Sequence, residues 1–426
     1  MEEGQFTFDE FSTEMQEFEL KKSRKFDRMW NIGYGGSILQ IPEIHSDTIF
    51  FGSCNRNVYA VDVRTGQLKW KFETRGIILE SSPTHWNGNI YIGSFDYNLY
   101  CLDAETGKLK WKFKTEGQID SKASVADGIV YFGSKDHNVY ALGAMTGSLI
   151  WKFKTFDEIS ASPSVHKNKV YIGSFDKNFY CLNADTGNLI WKFTTQGENH
   201  NMHPPLVHDG VVYFGSFDNF LRALDANTGE LLWKFPTGIY GNAASPVVYK
   251  GILYHASRDG LLFALTPDGK QIWKYVNREP FGAPAIHDDK IFIGSEDYNI
   301  YSLSLDGQKL WSFKTEGFVY IQPVVHEGRL FFSSWDCNLY CLDIENKSLL
   351  WKFRAEGGPA FIPPPFEGYE IKMMIPQAHV EESGKKRYEL DIGKEDDFEG
   401  AYKSRITYQV SNQYMAKGKY QVDEEF

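Results

Sequence analysis

The chain has 426 residues, 42% hydrophobic and 24% charged, which excludes a mainly disordered polypeptide and leaves room for one large all-β domain or several smaller ones. Lys and Arg number 45 against 56 Asp and Glu, and a net charge of −11 argues against a phosphate-tracking nucleic-acid surface. Five cysteines in so long a chain are too sparse for a disulfide-stapled secreted scaffold.

The first residues, Met1-Glu2-Glu3-Gly4, carry neither a basic segment nor an apolar leader, and no 18-residue apolar run follows, so a soluble cytoplasmic protein without a membrane span is expected. Residues 1–25 read as an acidic N-terminal extension. The first 20 hold seven acidic residues and no basic one, with Phe8, Phe11, Met15 and Phe18 at helical spacing. Two readings suit that pattern: a helix capping the rim of the main domain, or a docking segment for a partner groove.

From Trp30 onward the chain repeats. Nine of its eleven tryptophans (Trp30, Trp70, Trp111, Trp151, Trp191, Trp233, Trp273, Trp311 and Trp351) follow one another at steps of 38 to 42 residues. A period near 40 built of strand-like units points to a propeller or a solenoid. Eight long blocks are legible, each with four short apolar runs, A to D, separated by Gly, Asp and Asn turns. Run A often carries proline, which lacks a ladder donor and suits a sheet edge. Run B ends in Gly-Ser, and an Asp then follows (Asp96, Asp136, Asp176, Asp218, Asp259, Asp297, Asp336) whose side chain can close the B–C turn; the first block has Asn55 there. A glycine four residues before most of these tryptophans (Gly66, Gly107, Gly147, Gly187, Gly229, Gly269, Gly307) provides the positive φ of a tight C–D hairpin. In run D, Trp and the aromatic two residues later share one face, while Lys71, Lys112, Lys152, Lys192, Lys234, Lys274 and Lys352 occupy the other and guard an outer edge.

Such units cover their apolar faces when arranged radially, so the expected fold is an all-β, eight-bladed β-propeller of four-stranded antiparallel blades over residues 26–366. An open β-solenoid is the competing architecture. Nine blades are the alternative count. Residues 26–32 resemble a strand D without its own A, B and C, and residues 357–363 with 371–375 resemble a further A and B. Residues 367–426 lose the repeat and read as a β-rich C-terminal appendage or closing blade.

The pattern Ala223-Leu224-Asp225-Ala226-Asn227-Thr228-Gly229-Glu230-Leu231-Leu232-Trp233 resembles the tryptophan-docking repeat of pyrroloquinoline-quinone (PQQ) propellers. That family includes quinoprotein alcohol dehydrogenases and the propeller lipoprotein of the outer-membrane barrel-assembly machine, and many members bind neither quinone nor calcium. The resemblance implies that Trp70, Trp111, Trp151, Trp191, Trp233, Trp273, Trp311 and Trp351 dock blades together. The enzymes of the family carry adjacent cysteines under the quinone and an acidic calcium cluster. Here no two of Cys54, Cys101, Cys181, Cys337 and Cys341 are adjacent, and Cys101, Cys181 and Cys341 share a strand C position filled by Ala or Ser elsewhere. A non-catalytic member is therefore expected, with no PQQ, calcium or other cofactor and no catalytic residues.

Features common to every block are explained by folding, so function is sought where the repeat breaks. The D–A loops vary most. They contribute Glu80, Asp120 and Lys122, Glu158, the longest insertion with Glu198, Asn199, His200 and His203, then Tyr240 with Asn242, Phe281, and Phe318 with Tyr320. Together these are expected to form an amphipathic, mixed-charge mouth suited to a peptide or polar small molecule, against ordinary water-filled channel lining. His200 and His203, three apart, fall on opposite faces of a strand and make a poor metal pair. Trp335, on a B–C turn outside the docking series, is a further contact candidate. The expected function is a non-enzymatic scaffold that binds a protein partner through this face or the terminal extensions. The alternative is a quinoprotein-like enzyme or small-ligand sensor using the axial mouth.

Overall fold

The computed structural model describes residues 36–196, 204–241, 244–277 and 279–357, together with the short strands Ala378–Val380 and Lys386–Tyr388. The chain divides into two compact units, Met1–Ile362 and Pro363–Phe426. In the second, the two short strands pair antiparallel. The first is an eight-bladed β-propeller in which each blade is a four-stranded antiparallel sheet in the order A-B-C-D. The blades span 43–73, 84–114, 124–154, 164–194, 206–236, 247–276, 285–314 and 324–354. Among the described residues no helix is long and apolar enough to cross a membrane.

Blade 2 shows the local logic. Its strands are Thr84–Trp86 (A), Asn89–Gly93 (B), Asn98–Asp103 (C) and Leu109–Lys114 (D). Strand B is buried throughout and strand C nearly so, because each lies between two strands of its own sheet and between two neighbouring blades. Strand D alternates, with Trp111 and Phe113 half-buried and the lysines exposed, as the period of two requires. Tyr91, Cys101 and Trp111 stand opposite one another across B, C and D. The small strand C residue leaves room for the indole, and Cys101, Cys181 and Cys341 are accordingly fully buried.

The core lies between blades. Phe50, Val58 and Ala60 of blade 1 pack with Ile78, Ile90, Ile92 and Tyr100 from the blade 2 side, under Trp70 and Phe72. Each docking tryptophan reaches into the following blade. Trp70 Nε1 donates to Ala104 O at 3.0 Å, and its ring lies where a methyl group on Gly107 would fall 2.6 Å from Cδ2. Gly107 is therefore required twice, for its φ of +69° and for this contact.

The same contact settles the blade count. Trp351 of blade 8 docks on Gly66 of blade 1 and donates to Val63 O at 3.2 Å, and Phe331, Leu339 and Cys341 share a core with Ile49, Phe51 and Tyr59. Blades 8 and 1 are direct neighbours, so the ring has eight blades and the nine-blade alternative is set aside. Each blade is one uninterrupted stretch of chain, and no strand is exchanged at this junction among the described residues. Trp30, residues 1–25, and all of the predicted 367–426 extension except 378–380 and 386–388 lie outside the described residues.

Candidate functional site

The inner strands surround the propeller axis and are stitched to one another by side chains. Thr84 Oγ1 donates to Ala123 O at 2.6 Å and Ser124 Oγ to Pro163 O at 2.6 Å, while Gln322 Nε2 donates to Pro284 O at 2.8 Å. The D–A loops entering these strands are fixed from below by the B–C turns. Asp96 accepts the main-chain N–H of Asn98 within its turn, the Tyr100 hydroxyl at 2.6 Å, and the main-chain N–H of Arg75 in the incoming loop at 2.8 Å. Asp136, Asp176 and Asp336 repeat all three bonds. The turn holds Tyr97 at a φ of +71°, a strained value for a bulky residue that this bonding offsets. In blade 5 Arg222 replaces the tyrosine and pairs with Asp218. The repeated aspartates are thus loop anchors, as their recurrence predicts.

In four of the loops an aliphatic residue then wedges between blades. Ile78, Ile119, Ile159 and Val319 are fully buried there. Phe281 belongs to this wedge series: it is 0% exposed and packs against Tyr275 and Tyr301, so it does not line the mouth as expected. Counted back from Pro284 it takes the mouth position, but counted forward from Trp273 it matches Ile78, Ile119 and Ile159. The loop of blade 7 is one residue short between wedge and proline, and that residue moves the side chain into the core.

Beyond the wedge come Glu80, Asp120 and Tyr320, and Glu80 links them: the Asp120 charge acts on Glu80, and Glu80 on Tyr320. Glu80 keeps partial solvent contact, yet protein crowds it, and this desolvation, followed by the Asp120 charge, pushes its carboxyl up to about 8 against the opposing pull of Lys135 and Arg258. Asp120 is 4% exposed; burial raises its pKa, while Lys135 and the Glu80 main-chain N–H oppose the rise. Lys135 Nζ lies 3.6 Å from Asp120 Oδ2, and Asp120 Oδ1 is buried without a hydrogen-bond partner. Glu158 also acts on Asp120, and burial raises the Tyr320 hydroxyl while Arg258 lowers it.

Lys122 leaves this group, placing Nζ 3.4 Å from Glu43 Oε2 of blade 1. Tyr240 is half-buried, its main-chain N–H donating to Asp259 at 3.0 Å. Trp335 is half-buried, edge-on to Phe318 at 5.2 Å. Glu198, Asn199, His200, His203 and Asn242 lie outside the described residues.

Lys135 and Arg258, which complete the mouth, escaped the sequence reading although a signal for them exists. Both occupy the middle of the Ser-x-Asp turn, as do Phe95, Phe175, Phe217, Glu296 and Trp335, with Cys54 in the matching Ser-x-Asn of the first blade. Flanks that stay constant around so variable a residue mark a side chain freed from the fold. Here neighbouring turns touch: Lys135 Nζ sits 5.0 Å above the Phe95 ring, and the Arg258 guanidinium 5.4 Å above Phe217. Across the seam, desolvation, followed by Cys337, pushes the Cys54 thiol up to about 12.

Among the described residues no three His, Cys, Asp or Glu side chains are placed to share a metal ion, and all five cysteines are free thiols.

Comparison with known proteins agrees with this architecture. Residues 146–379 match the family model described as "Beta-alanine-activating enzyme, beta-propeller", and residues 54–154 that of "Outer membrane protein assembly factor BamB". No curated protein matches the chain significantly. Among solved structures, BamB from Moraxella catarrhalis is 18% identical with a TM-score of 0.58, covering 69% of this chain and 93% of its own. The computationally designed Ika8 protein is 16% identical with a TM-score of 0.63, covering 71% of this chain and 94% of its own. Quinohemoprotein alcohol dehydrogenase from Comamonas testosteroni is 16% identical with a TM-score of 0.61, covering 73% of this chain and 71% of its own. At these identities the structures establish the fold alone. With a family match over more than half of its length, the chain belongs to the PQQ-like β-propellers, in the group represented by the propeller of the beta-alanine-activating enzyme.

Proposed function

We propose that the propeller is a non-enzymatic binding platform that holds a protein partner on the face formed by its D–A loops and B–C turns. The observation that carries this reading is Phe156. It is 84% exposed at the second loop position after strand D, where the aligned residues Arg75, Glu116 and Glu316 are charged. Its main-chain N–H is held by Asp176 at 3.0 Å, so a fixed backbone presents a large aromatic to solvent, the character of an interface anchor. Ile239, 46% exposed, takes the related position before blade 6. The BamB comparison lends support, since that protein is named an assembly factor. A cytoplasmic setting belongs to the proposal and draws on the sparse, buried cysteines.

The test is a photo-crosslinking amino acid placed at Phe156 in the full chain, with Met145, 54% exposed on a C–D turn of the opposite face, as control. A discrete adduct from position 156 and none from 145 is expected in extracts of the native source. Equal adducts from both positions, or none from 156, would refute the platform reading. Deleting residues 1–25 or 367–426 in the same assay shows whether the extensions contribute.

A further inference from the structure

We propose that the axial mouth seats a primary ammonium group against the open Oδ1 of Asp120, with Glu80 and Glu158 of the flanking loops as its other acceptors. The inference deepens the platform reading by naming the group that the mouth accepts, and rests on it only for which molecule carries that group.

Asp120 is the central observation. It is 4% exposed, one oxygen faces Lys135, and the other is buried without a partner, an expensive arrangement that a donor from outside would relieve. Its neighbours select the donor. Four carboxyl groups, Glu80, Asp120, Glu158 and Glu296, meet two cations, Lys135 and Arg258, so the mouth favours a cation over an anion. Both cations lie over aromatic rings of the adjacent turn, which fixes them at the sides of the mouth. A guanidinium group prefers two coplanar oxygens, and Asp120 has only one free, since Lys135 holds the other. An ammonium group, with three N–H donors that rotate to separate acceptors, matches oxygens spread over three loops. The described carboxylates do not converge as metal ligands would.

Titration of Glu80 supports the same picture. Burial first, and then the Asp120 charge, opposed by Lys135 and Arg258, lets Glu80 hold its proton up to about pH 8. The Cys54 thiol and Tyr320 hydroxyl that also face it stay neutral, because burial raises both. A bound ammonium displaces the Glu80 proton, so binding strengthens as pH rises toward 8.

Calorimetry on the full chain with n-butylammonium, and with a short peptide bearing one lysine, tests this at several pH values in two buffers of different ionisation heat. Expected are binding with proton release, a rise in affinity from about pH 6.5 to 8, and failure of tetramethylammonium, which has no N–H donor, to compete. Asp120→Asn should weaken binding roughly 10- to 100-fold. Glu80→Gln, which leaves the Lys135 pair intact, should abolish the pH dependence and the proton release. Tighter binding of the peptide identifies a partner lysine as the source, and tighter binding of butylammonium a free amine. Absence of binding by either probe, unchanged affinity in both variants, or equal binding of tetramethylammonium would overturn the proposal. The Phe156 adduct separates the two readings: an adduct without amine binding leaves the platform and removes this inference, and amine binding without an adduct does the reverse.

Discussion

Replacing Gly66 by alanine probes the contact that closes the ring, and Gly88 provides its internal control. Both glycines have a φ of +72°. An L-residue forced into that region costs about 1–2 kcal/mol, a penalty common to both variants. At Gly88 a new methyl meets nothing within 4 Å. At Gly66 it falls 2.7 Å from Cδ2 and 2.8 Å from Cε3 of Trp351, atoms of a rigid indole that has to move. Moving it breaks the 3.2 Å bond from Trp351 Nε1 to Val63 O, about 1 kcal/mol, and overpacks the seam by roughly 1–3 kcal/mol. Gly66→Ala should therefore destabilise by roughly 2–4 kcal/mol more than Gly88→Ala. At about 2 °C per kcal/mol for a domain of this size, the melting temperatures should differ by roughly 4–8 °C. Thermal scanning of the two variants beside the parent measures the difference directly. Equal losses would show that the indole does not press on the turn, and with that the account of ring closure would fail.

Three further outcomes follow from buried groups. His255 is fully buried in strand B of blade 6 with neither ring nitrogen bonded, where other blades place Ile92, Phe132 or Phe214. His255→Phe should stabilise by roughly 1–3 kcal/mol in urea titrations. Desolvation alone lowers its pKa to about 3, so the unfolded chain binds a proton that the folded chain refuses below about pH 6.5. Parent stability should thus fall further than the variant's between pH 6.5 and 4; parallel profiles would refute the assignment. Glu80 acts with the opposite sign: its folded carboxyl keeps a proton that the unfolded chain releases above about 4.5, so stability should decline between about pH 4.5 and 8. Glu80→Gln should flatten this decline, which is on the order of 1–3 kcal/mol given the solvent reaching the mouth, as urea midpoints at the two pH values would show. Finally, Cys54, Cys101, Cys181, Cys337 and Cys341 are buried with thiols raised by desolvation. They should resist iodoacetamide in the native protein and all react in urea, and a thiol labelled natively would contradict its placement.

The architecture is legible from tryptophan and glycine together, because a ring docked on a turn demands both at fixed spacing and leaves the intervening residues free to vary. The count was harder to read, since Trp30 carries the same strand D signature while closure depends on Trp351 finding Gly66, a pairing 285 residues apart in sequence. At the mouth, Glu80, Asp120 and Tyr320 could be found because they interrupt a pattern. Phe281 misled because proline and tryptophan give two registers that disagree by one residue, and packing follows the tryptophan. Lys135 and Arg258 were hidden by the constant Asp beside each, which drew the reading toward the turn and away from the residue it displays.

The seam has one more implication. Residues 36 and 356 abut, a methyl on Gly36 falling 2.7 Å from the Glu356 carbonyl, and blade 8 meets blade 1 through the same indole-on-glycine contact that joins most of the other blades. No junction of the ring needs covalent continuity more than another. A circular permutant of residues 36–356, with those two residues joined by a short linker and new ends opened in a D–A loop, retains every blade whole, so the order in which the blades are synthesised is separable from the ring they form.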